Sequence, residues 1–119
     1  MSCRYCIDSH TPVALDSGLN AAQVRALRNE PGFALEPAFS DARERALIAW
    51  TDEVAQGKGP ATQAATHEMK RLFADHEIVE LTLLAGVTLL LNRYASTLQL
   101  PVGSDTVDRL KAEGFERAA

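Results

Sequence analysis

Cys3, Cys6 and His10, in the run Cys3-Arg4-Tyr5-Cys6-Ile7-Asp8-Ser9-His10, have residue types and spacing suited to chemistry. On a helix, Cys3 and Cys6 are i, i+3 neighbours and Cys6 and His10 are i, i+4 neighbours, so all three share one stripe. A cysteine pair at a helix start lies beside unsatisfied backbone N–H groups and the positive end of the helix dipole. Both favour the thiolate and lower its pKa. The same spacing lets the two sulfurs form an intramolecular disulfide with little backbone movement. A histidine one turn further on donates a hydrogen bond to a thiolate or accepts its proton. Together these parts make a dithiol–disulfide catalyst.

Other readings of the same residues stand beside this one. The thioredoxin fold uses a similar pattern, but a strand precedes its first cysteine, where this sequence has Met1 and Ser2. Haem attachment of the c type needs histidine directly after the second cysteine, and Ile7 occupies that position. A zinc site would combine Cys3, Cys6 and His10 with His67 or His76, without a second Cys-x-x-Cys or a His pair to complete the pattern. Two cysteines on a buried face can also serve simply as small core side chains.

Positioning these residues falls to helices. Ala and Leu supply 34 of the 119 residues and Val and Ile only 10, a balance that favours helix over sheet. Asn20 with Gln23 forms a capping box opening a short helix to about Arg28, with Val24 and Leu27 on one face. The stretch Asn29 to Phe39, carrying Pro31, Gly32 and Pro37, reads as a loop. Ser40 caps a helix of about 16 residues whose inner face is Leu47, Trp50 and Val54 and which stops at Gly57. A fourth helix covers about Ala61 to Ala74, presenting Met69 and Phe73. Asp75 caps a fifth, about His76 to Leu98, and Ser104 caps a last one ending near Gly114. The fifth is apolar nearly all round from Leu81 to Leu91, so it must be surrounded by protein, and a second subunit is one way to do that. Pro12 interrupts the cysteine helix with a kink, or with a restart capped by Thr11.

The chain is 46% apolar and 24% charged, as expected for one ordinary globular domain. A net charge of −4 and only three Lys residues argue against a nucleic-acid binder that works by neutralising phosphates. The apolar run Leu81 to Leu91 falls short of the roughly 20 residues needed to cross a bilayer, and the first residues lack the features of a secretory leader. The expected compartment is therefore the cytoplasm, where paired thiols point to redox or metal chemistry more than to a structural staple.

Three segments carry a resemblance: the Cys-x-x-Cys-x-x-x-His run, Arg-Glu-Arg-Ala-Leu-Ile-Ala-Trp at 43–50, and Leu-Leu-Leu-Asn-Arg-Tyr-Ala at 89–95. In that order they resemble the carboxymuconolactone decarboxylase superfamily, in its alkylhydroperoxidase D-like branch. The resemblance implies an all-α subunit of about five to six helices, with residues 1–101 forming the core and 102–119 a C-terminal helix and tail of the same domain. It implies assembly into homo-trimers or homo-hexamers, and thiol-dependent peroxidase or disulfide oxidoreductase activity without metal or organic cofactor. A peroxide would be the substrate, and an external dithiol or reductase protein the electron donor. Cys6 would be the peroxidatic nucleophile, Cys3 the resolving cysteine, and His10 part of the proton relay. The family also carries a Glu about three turns before the cysteines, in a segment without a counterpart here, with Glu44 and Asp41 as the stand-ins considered. A degenerate, non-enzymatic helical module and a decarboxylase-like lyase are the alternatives.

Overall fold

Seven helices and no strand form among residues 3–119, the part of the chain described by this computed structural model. Met1 and Ser2, which bear on the leader-peptide reading, lie outside the described residues. The helices are α1 (Arg4–Asp16), α2 (Ala21–Leu27), α3 (Leu35–Ala38), α4 (Ala42–Gln56), α5 (Gln63–Leu72), α6 (Asp75–Thr97) and α7 (Ser104–Ala112). The all-α expectation holds. The four-residue α3 is additional, inside the stretch expected to be loop, and Pro37 fits there because so short a helix has few N–H groups to lose.

The chain divides into two units, residues 1–38 with 91–119, and residues 39–90. In the first, α1 packs on α7 and α2, and α2 packs on α3. Its core is Val24, Leu110 and Phe115, with Ala14, Leu15 and Leu19 against them. The α2 capping box forms in full: Gln23 N–H donates to Asn20 Oδ1 and Asn20 N–H to Gln23 Oε1. Val24 is buried as expected, but Leu27 is exposed and Ala26 takes the second inward position. Gly114, with φ of +78°, ends α7 and lets Phe115 N–H return to Leu110 C=O at 2.8 Å. That turn places the Phe115 ring in the core and directs residues 116–118 back across α1.

Asp16 and Arg109 join the ends of α1 and α7, with the guanidinium donating to both carboxylate oxygens at 2.8 and 2.6 Å. Hydrogen bonding from Arg109 holds the Asp16 carboxyl below its ordinary range. A depressed folded-state pKa adds stability above the unfolded value, about 3.9, which is lost as pH falls through the lower folded value. The melting-temperature gap between wild type and Asp16→Asn is therefore expected at pH 7 and should close as the pH drops below about 4. A gap that persists unchanged to strong acid would refute this link. Because both groups are solvated, the gap itself is small.

In the second unit α4 packs on α5, and Met69 is fully buried. The N-cap of α4 is Asp41 rather than Ser40: its side chain accepts from Glu44 N–H. Gly57 ends that helix in the left-handed conformation, as its position predicts. Trp50 is half-buried, and its Nε1–H donates to Thr82 Oγ1 at 2.8 Å. Helix α7 likewise differs at its start, where Gly103 is the N-cap and Ser104 the first helical residue.

Helix α6 departs furthest from expectation. Seven large apolar side chains on it (Val79, Leu83, Leu84, Val87, Leu90, Leu91 and Tyr94) are each more than half exposed. A single chain does not surround this helix. At 23 residues it is also long and apolar enough to cross a bilayer by length and composition, which the 11-residue apolar run alone is not.

Candidate active site

Helix α1 brings two of the three expected residues into a covalent arrangement. Cys3 and Cys6 form a disulfide across the first turn, with Cα atoms 5.2 Å apart. Cys3 is the N-cap: its backbone is extended, and its Sγ accepts a hydrogen bond from Cys6 N–H at 3.2 Å. The helix start therefore supports the Cys3 sulfur in particular, where the spacing alone offers that support to the pair. The reason is geometric, since the cap residue's side chain reaches the N–H three residues on, and Cys6 is that third residue.

The two sulfur-bearing residues differ in exposure. Cys3 is almost completely buried, and Cys6 is only partly so. Of the two residues, Cys6 is the more open to solvent. A thiolate leaving from Cys3 stays beside a backbone N–H, and a more stabilised thiolate leaves faster in exchange.

His10 is exposed on the following turn, and its Nδ1 lies 2.7 Å from Cys6 C=O. A carbonyl oxygen only accepts, so Nδ1 carries the hydrogen and Nε2 is left as the basic nitrogen. The ring makes no hydrogen bond to either sulfur among the described residues, so its tie to Cys6 runs through the backbone. Pro12 does not break the helix. α1 runs unbroken from Arg4 to Asp16, with Pro12 buried inside it, and Thr11 Oγ1 donates to Ile7 C=O at 2.7 Å instead of capping a new helix.

The residue that sequence reading missed is Asp8. It is fully buried two positions after Cys6, and its carboxylate accepts from Arg117 Nε at 2.7 Å and Ala118 N–H at 2.9 Å. Arg28, itself nearly buried, stands 3.7 Å from Oδ1 and donates to Thr11 Oγ1 at 2.6 Å and to Glu116 C=O. These bonds fasten the C-terminal tail over the cysteine helix. Asp41 and Glu44, the considered stand-ins for the relay acid, are the N-cap and first turn of α4. Among the described residues, no three His, Cys, Asp or Glu side chains are grouped to hold a metal ion.

No family model, curated protein or solved structure matches this chain. The resemblance consequently rests on its three segments, which lie in α1, in α4 and near the end of α6.

Proposed function

We propose that this chain is a thiol-dependent peroxidase or disulfide oxidoreductase of the alkylhydroperoxidase D-like type, cycling Cys3 and Cys6 between dithiol and disulfide. The observation that carries the reading is the asymmetric pair at the start of α1, with a buried, N–H-supported Cys3 bonded to an accessible Cys6.

In the cycle, the Cys6 thiolate attacks the outer oxygen of a hydroperoxide, breaking O–O and releasing the alcohol once the leaving alkoxide takes up a proton. His10 Nε2 accepts the Cys6 proton beforehand and returns it to the alkoxide, directly or through a water. The Cys3 sulfur then attacks the Cys6 sulfenic acid, forming S–S and releasing water. An external dithiol opens the bridge at Cys6, Cys3 departs as thiolate, and the mixed disulfide resolves to leave oxidised donor and two protein thiols. The proposed compartment is the cytoplasm, where a dithiol pool sustains that last step.

The test is a thiol titration around a peroxide pulse. Reduced protein should show two titratable thiols, lose both within seconds of adding one equivalent of tert-butyl hydroperoxide, and yield one equivalent of alcohol. Thiols that persist, or that oxidise no faster than in unfolded chain, would instead favour a non-enzymatic helical module.

The reading extends to self-association. The exposed stripe of α6, with Leu83, Val87, Leu90 and Tyr94 at helical spacing, is what a second copy of this chain would cover. Light scattering should give a solution mass that is a multiple of 12.9 kDa, and Leu83→Lys with Leu90→Lys should lower it to one chain. A wild-type mass of a single chain, or partition into vesicles without detergent, would rule the assembly out.

A further inference from the structure

One cavity of about 460 Å³ opens beside the cysteine turn, between Arg4 and Tyr5 of α1, the end of α6 and Arg117 of the tail. That volume falls in the range of small-molecule sites, about 300–1,000 Å³. Arg4 and Tyr5 are the two residues between Cys3 and Cys6, so this wall is built from the turn that the disulfide closes.

The lining is unusual in the state of its polar groups. Arg4, Tyr5 and Gln99 make no side-chain hydrogen bond among the described residues, while the Ser96 hydroxyl, also unpartnered, has no accessible surface. The uncommitted groups of Arg4, Tyr5 and Gln99 give the site unmet hydrogen-bonding capacity. Arg117 gives only its Nε–H to Asp8, and its other four N–H groups are uncommitted among the described residues. Gln99 holds its side chain there with φ of +52°, a conformation that favours glycine.

The charge on the lining is one-sided, with Asp8, the partner of Arg117, fully buried behind it. Two guanidiniums border the cavity and no carboxylate does, while Leu100 and Val102 supply an apolar wall. A neighbouring cavity shows the opposite pattern, with Glu30 and Glu116 beside its arginines. Guanidinium forks match the planar geometry of a carboxylate. We propose that the cavity beside Arg4 and Arg117 binds the carboxylate of an acidic, aliphatic substrate, seating the chain along Leu100 so that its thiol or hydroperoxide end reaches Cys6. The substrate role rests on the redox reading above; the carboxylate preference does not.

Binding is measured first, by titrating oxidised protein with octanoate and following the amide signals of Tyr5, Ser96 and Gln99 by NMR. Saturable shifts are expected with octanoate and not with octanol. Inorganic phosphate should bind more weakly, because it makes no use of the apolar wall. Arg4→Gln and Tyr5→Phe should each weaken octanoate binding, and Tyr5→Phe keeps the test open if Arg4→Gln fails to fold. Absence of saturable shifts, or equal affinity for octanol or phosphate, overturns the site. Matched pairs then separate the two sources of the carboxylate. Bridge reduction by 6-mercaptohexanoate is compared with 6-mercaptohexanol, and turnover of a fatty-acid hydroperoxide with that of its methyl ester. One acidic member should be preferred about tenfold, with the preference eroded by salt and by Arg4→Gln. Parity in both pairs overturns the substrate role. Octanoate binding without any turnover would retain the cavity and remove the redox reading, so the two failures are distinguishable.

Discussion

Cys6→Ser is expected to lower peroxide consumption by more than about a hundredfold, to the rate of the free dithiol, because the accessible sulfur is the one that meets the oxidant. Cys3→Ser should behave differently. Cys6 can still attack once, but no second sulfur waits at Cα–Cα 5.2 Å to release water and close the bridge. One equivalent of alcohol per chain should form in a burst and then stop, and the sulfenic acid should be trapped by a dimedone-type reagent at Cys6. Rapid-quench measurement on the two variants reads both outcomes. A burst retained by Cys6→Ser and lost in Cys3→Ser would reverse the assignment of the sulfurs, and undiminished turnover in both would end it.

Asp8→Asn is expected to reduce stability by about 3 kcal/mol, the scale for removing one partner of a buried charge pair. Asp8 has no exposed surface, and Arg28 beside it is 8% exposed, so water cannot replace the lost charge. The melting temperature should fall by about 10 °C. The Ala118 amide, which donates to Asp8, should exchange with solvent faster than the α4 amides do. A melting temperature unchanged within about 2 °C would show that Thr11, Glu30 and the Glu116 carbonyl hold Arg28 adequately alone.

Much of the helical architecture was legible because its signals are local. The Asn20–Gln23 box, the left-handed Gly57 and the end of α7 at Gly114 each depend on residues within one turn. Errors came where a choice among neighbours decides. Asp41 displaced Ser40 as cap because a one-residue shift leaves both candidates chemically suitable. Leu27 faces outward because α2 has only seven residues, too few for periodicity to fix the buried side. Pro12 stays inside α1, one of the two arrangements its position leaves open, and Thr11 does not start a new helix.

For the candidate site, the cysteine pairing was legible from spacing, and its asymmetry was not. Which sulfur caps the helix depends on where α1 begins, and a boundary shift of one turn would exchange the roles of Cys3 and Cys6. Asp8 was illegible for a different reason. Its partners, Arg117 and Ala118, are 109 and 110 residues away, and no local pattern announces a contact of that range.

The sulfur cap on α1 has a bench consequence. Serine is among the favoured residues at a helix's first boundary and alanine is not, so replacing Cys3 by one or the other are different experiments. The serine form removes electron transfer while keeping an oxygen for the waiting amide. The alanine form also frays the opening turn, and any deficit it shows mixes folding with chemistry. Alkylating reagents have the same double action, so labelling data at this position need the serine protein as their reference.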